Sequence, residues 1–132
     1  MVKGAARAIM VLLPAVMVLL LGTGFDLAGA HAVVIESSPT DNEVLTSAPG
    51  EVVLRFNAKI EKSLARVTLA TSAGRIIPML APMKEHSRAT PDRLVITLPN
   101  IGPGDYLLRY KVLSVDGHVV IGVLRFSVVS KP

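Results

Sequence analysis

Four stretches of the chain alternate apolar and polar residues with a period of two. In EVVLRFN (51–57), Val52, Leu54 and Phe56 share one face and Val53, Arg55 and Asn57 the other. RLVITLP (93–99) groups Leu94, Ile96 and Leu98. DYLLRYKVLS (105–114) groups Tyr106, Leu108, Tyr110 and Val112 against Leu107, Arg109, Lys111 and Leu113. GVLRFSVV (122–129) groups Leu124, Phe126 and Val128 against Arg125 and Ser127. Successive side chains of a strand point to opposite faces, so each stretch predicts a strand with one face in a core and one in water. Shorter candidates are HAVVIES (31–37), ARVTLA (65–70) and RIIPML (75–80). The turn-forming clusters SSPTDN, SAPG, TSAG, ATPD, NIGPGD and VDGH separate them. About seven short strands in about 100 residues, without an amphipathic helix, predict an all-β sandwich or barrel. Tyr106 follows GPGD at the head of its strand, the setting of a tyrosine corner in Greek-key sandwiches.

The first thirty residues follow another pattern. Lys3 and Arg7 precede the uncharged apolar run AIMVLLPAVMVLLLG, and small residues stand at Ala28 and Ala30. Positive charge, apolar run and A-x-A in that order predict a cleavable secretory signal over 1–30. The run covers 15 residues, short of the roughly 20 that span a bilayer. Cleavage after Ala30 leaves 102 of the 132 residues, one domain at 31–132.

Charge and composition narrow the chemistry. Of 14 basic and 10 acidic residues, Lys3, Arg7 and Asp26 leave with the signal, so the remainder is only mildly basic. Its Lys and Arg are scattered, without the clustered basic and aromatic residues of a nucleic-acid surface. The absence of cysteine excludes disulfides, thiol nucleophiles and Cys-ligated zinc or iron–sulfur centres.

The histidines and methionines past residue 30 fall in three places: His31, the segment PMLAPMKEHS with Met79, Met83 and His86, and SVDGH with Asp116 and His118. Cleavage after Ala30 makes His31 the first residue. Its α-amine and imidazole Nδ1 could then close a six-membered chelate ring on one metal ion. An α-amine has a pKa of about 8 against about 10.4 for lysine, so it gives up its proton to a metal more readily. Asp116 and His118 are two apart, which on extended backbone projects both side chains to one face. Alternatively, VDGH is an ordinary Asp-Gly hairpin turn. Two nitrogens of His31, a carboxylate and a second imidazole suit tetragonal Cu(II), and Ni(II) or Zn(II) less selectively. The set would meet if the first and penultimate strands are neighbours. Met79, Met83 and His86 offer soft ligands to Cu(I); alternatively Met79 fills the core beside Ile77 and the other two are loop residues.

HAVVIESSPTDNEVLTSAPGEVVLRF and IGPGDYLLRYKVLSVDGHVVIGVLRFSV together resemble the CopC family of periplasmic copper-resistance proteins over nearly all of 31–132. The resemblance implies an Ig-like Greek-key sandwich or barrel that binds Cu(II) through His31, Asp116 and His118. It also implies copper buffering, resistance or exchange with a CopD-type inner-membrane partner. Some members have an acidic residue just after the strand phenylalanine; here Asn57 and Ala58 stand there, and Glu61 comes three residues later. The Met79, Met83, His86 segment partly matches a methionine-rich Cu(I) loop of other members. Two other classes compete. A copper enzyme of the histidine-brace type would want exposed aromatics. Past residue 30 the chain has two Tyr, two Phe and no Trp, and these aromatics lie on faces predicted to turn inward. A metal-free Ig-like interaction domain is the other.

Overall fold

The computed structural model describes residues 32–79 and 90–131. Eight strands follow one another: β1 (Val34–Ser38), β2 (Glu43–Leu45), β3 (Glu51–Phe56), β4 (Arg66–Thr71), β5 (Ile76–Ile77), β6 (Arg93–Thr97), β7 (Gly104–Leu113) and β8 (Val119–Val128), with one 3₁₀ turn at Lys62–Leu64. They form a three-stranded sheet, β1-β3-β6, and a five-stranded sheet, β2-β8-β7-β4-β5.

Alternation decides what is buried. Val52, Leu54 and Phe56 of β3 and Leu94 and Ile96 of β6 turn inward from the first sheet. Leu69 of β4, Tyr106, Leu108 and Val112 of β7, and Leu124, Phe126 and Val128 of β8 turn inward from the second and join them in one cluster. Two sheets sharing one apolar core form a sandwich, as the alternating pattern predicted. Phe56 stands edge-on to Tyr110 with ring centres 6.1 Å apart, a contact between the sheets. Tyr106 stacks on Phe126 at 5.5 Å, and its hydroxyl donates to the Gly102 carbonyl at 2.6 Å. That bond back to the backbone four residues upstream is the tyrosine corner expected from GPGDY. Gly122 lies under the Tyr110 ring, where any Cβ would overlap it.

Strand β2 has no alternating signature of its own. It is three residues long, leaves Val44 exposed, and runs parallel to the end of β8. The turn before it is tied locally: Glu43 accepts from the Thr40 N–H at 2.7 Å, and Asn42 adopts φ +64°. Through this turn the chain leaves the first sheet at β1 and enters the second at β2.

Candidate metal centre

The motif SVDGH is the turn between β7 and β8. Ser114 N–H donates to the His118 carbonyl at 2.8 Å, and Gly117 N–H donates to the Ser114 carbonyl at 2.9 Å. Val115, Asp116 and Gly117 thus form a three-residue hairpin loop whose last residue has φ +91°. Glycine suits that left-handed position because a Cβ would be strained there. Asp116 and His118 therefore do not share a face by strand alternation, as extended backbone would have required. The turn brings them together instead: Asp116 Oδ2 lies 3.1 Å from His118 Nδ1.

A buried serine supports the pair. Ser114 is 1% exposed, its hydroxyl donates to the Asp116 carboxylate, and it accepts from the His118 N–H at 3.2 Å. Asp116 also receives the His118 N–H at 3.3 Å. The Ser114 hydroxyl first, and His118 second, hold the Asp116 carboxyl down to about 2, so it is ionised at neutral pH. The side chains of Asp116 and His118 remain about half exposed, at 45% and 49%. Two donors about 2 Å from one ion and at right angles to each other are separated by about 2.8 Å, so the observed spacing fits neighbouring ligands of a single metal. Among the described residues, no group of three or more His, Asp or Glu converges in this way.

The first strand reaches this turn by an indirect route. β1 belongs to the sheet opposite β7 and β8, so the first and penultimate strands are not hydrogen-bonded neighbours. The link is the segment that follows β3. Val33 N–H donates to Asn57 Oδ1 at 2.8 Å, and Asn57 N–H donates to the Val33 carbonyl at 3.0 Å. Two residues on, Val115 N–H of the hairpin donates to the Lys59 carbonyl at 3.1 Å, and Glu61 N–H donates to the Leu113 carbonyl at 2.8 Å. Asn57 and Lys59 are two residues apart, at most about 7 Å along the chain, so 57–61 clasps Val33 at one end and the hairpin at the other. Ala32, next to Val33, is buried at 1% exposure.

His31, Met83 and His86 lie outside the described residues, as does the predicted signal at 1–30. Met79 is partly buried and packs against the core, as does Ile77. Phe56, Phe126 and Tyr106 are buried and Tyr110 packs against the core, so no aromatic among the described residues forms a surface platform. Two supporting residues carry no ligand signal of their own in the sequence. Ser114 was detectable as a polar residue at the inward parity of Tyr106, Leu108, Tyr110 and Val112. Asn57 stands where some members of the resembled family have an acidic residue, and its side-chain oxygen and backbone N–H both tie down Val33.

A model of the CopC domain matches residues 34–129. The chain is 36% identical over 108 residues to copper resistance protein C of Xanthomonas campestris pv. juglandis, covering 76% of this chain and 82% of that one. It is 32% identical over 101 residues to the copper transport protein CutJ of Bacillus subtilis (strain 168), covering 75% of this chain but only 18% of CutJ. The fold is similar to that of CopC from Methylosinus trichosporium OB3b, with a TM-score of 0.69 and 25% identity over 77% of this chain and 97% of that one. It also matches PcoC, a methionine-rich copper resistance protein from Escherichia coli, with a TM-score of 0.62 and 22% identity over 76% and 100% of the respective chains.

Proposed function

The chain belongs to the CopC family, and from that premise we propose that it is an exported, non-enzymatic copper-binding protein that holds Cu(II) and passes it on. In this reading, residues 1–30 direct export to the periplasm and are removed, and 31–132 is the working domain. His31, as first residue, contributes its α-amine and Nδ1; Asp116 and His118 complete the set. The observation that carries the reading is the Asp116–His118 pair, 3.1 Å apart, in a hairpin that shares the 57–61 clasp with Val33. His31 is two residues before Val33, and consecutive Cα atoms are about 3.8 Å apart, so the clasp supports a meeting of all three residues. An ionised carboxylate and imidazole nitrogens form an N,O donor set suited to Cu(II).

Copper resistance and copper transport in the names of the relatives support buffering or delivery as the role. In CutJ, named a copper transport protein, the matched region is 18% of a much longer chain; in this reading the recipient is a CopD-type inner-membrane protein. The Met79, Met83 and His86 set for Cu(I) has weaker support, because Met79 is engaged with the core.

The test is to move the α-amine. Mass spectrometry of the exported protein should give His31 as its first residue. Adding one Gly before His31 turns that amine into an amide and should lower Cu(II) affinity by orders of magnitude in a chelator competition. A different first residue, or an unchanged affinity, refutes the chelate.

A further inference from the structure

Strand β8 pairs with β7 along its whole length, but on its other side β2 covers only Phe126–Val128. Arg125 is held on that side too: its carbonyl accepts from Asn42 N–H at 2.7 Å, and its N–H donates to Asp41 Oδ1 at 2.8 Å. In an antiparallel ladder the N–H and C=O of one residue point to the same neighbour, and alternate residues point to opposite sides. Val119, Ile121 and Val123 share the parity of Arg125, so their backbone groups point away from β7. The bond from Ser114 N–H to the His118 carbonyl gives the same parity from the other end of the ladder. Among the described residues no strand takes up these groups.

Edges left open in this way are normally guarded by charge, proline, a bulge or short length. The other edges of the sandwich obey that rule. β1 carries Glu36 and a register irregularity between Val34 and Glu36, β6 begins at Arg93, and β2 and β5 are three and two residues long. The run from Val119 to Leu124, VVIGVL, has no charge and no proline, with Val119 54% and Ile121 73% exposed.

We propose that this edge pairs with the same edge of a second copy of the chain, the two β8 strands running antiparallel about a two-fold axis through Ile121. Ile121 then lies opposite its own counterpart, and Val119 lies opposite Val123 in both halves. The N–H and C=O of all three residues find partners in this one register. It ends naturally at Arg125, whose groups are already held by Asp41 and Asn42. Every cross-strand pair on the outer face is apolar, and no like charges oppose each other. Lys111, beside Ile121 on β7, is separated from its counterpart by three strand spacings, about 14 Å, beyond a Debye length of about 8 Å. The edge has no charge with which to select a foreign strand, whereas its own sequence is a complete partner. A two-fold interface of this kind closes on itself and stops at a dimer.

The proposal does not rest on the copper reading, and the two can fail separately. Sedimentation of the protein as the cell processes it, from micromolar to millimolar concentration, should show a shift from one chain to two. Over the same range, exchange of the Val119, Ile121 and Val123 amides should slow by at least about tenfold, while those of Val120, Gly122 and Leu124 stay protected throughout. Ile121→Lys should weaken the dimer at least about tenfold, as edge lysines do, and leave Cu(II) affinity unchanged. A single-chain mass over the whole range overturns the proposal. So does a dimer whose odd-numbered amides still exchange as in dilute solution, or one that Ile121→Lys leaves intact. Protection that arises only on adding a different protein overturns the second copy as the occupant.

Discussion

Replacing Ser114 by alanine tests whether the hairpin, and not merely the presence of Asp116 and His118, makes the proposed copper site. The Ser114 hydroxyl is buried, donates to the Asp116 carboxylate and accepts from His118 N–H. Ser114→Ala keeps the backbone bond from Ser114 N–H to the His118 carbonyl, at 2.8 Å, so the hairpin should still close. Losing a buried hydroxyl with two partners costs about 1–2 kcal/mol net. For a domain of about 100 residues that lowers Tm by roughly 5–15 °C. The effect on copper is separate. Without the hydroxyl, the Asp116 carboxylate is free to rotate away from His118, and loss of such outer support lowers metal affinity about 10–100-fold. Chelator competition with Cu(II), alongside urea unfolding of the metal-free protein, reads both effects. Ser127→Ala is the control, because the Ser127 hydroxyl donates to Asp105 at 2.6 Å, near the far end of the β7–β8 ladder. It should leave copper binding untouched. A folded Ser114→Ala protein with Cu(II) affinity within about twofold of the parent would refute the argument, since the supported pair predicts at least about tenfold.

The same contacts make a pH prediction. Asp116 titrates at about 2 in the folded protein against an ordinary 3.8, so its contribution to stability is present above pH 3.8 and is lost as pH falls through 2. Carboxyl NMR of the metal-free protein should show that low midpoint, and Ser114→Ala should move it up toward 3.8; a parent midpoint already at the ordinary value contradicts the contacts. Gly122→Ala places a Cβ in the Tyr110 ring and drives the ring from its edge-on contact with Phe56. The cost should be about 1–3 kcal/mol, read from the urea midpoint, and an unchanged midpoint would mean the ring has room to spare.

Much of the sandwich was legible along the chain. The alternating positions of β3, β6, β7 and β8 are the core, Tyr106 forms its corner, and VDGH is a turn. Asp116 and His118 stand out as candidate donors in the sequence because donor chemistry belongs to the side chain itself. What the pattern did not contain is partnership. β2 is too short to alternate and is defined only by the end of β8, more than 80 residues away. β1 lies in the opposite sheet from β7, and its link to the hairpin runs through Asn57 and the carbonyl of Lys59. Asp116 meets His118 by a turn around Gly117 and a buried serine, not by strand alternation. Alternation records which way each side chain points, a local consequence of backbone geometry. Which strands pair, which segment clasps two of them, and which edge stays open depend on residues far apart in the chain packing into one core, and those the tertiary structure decided.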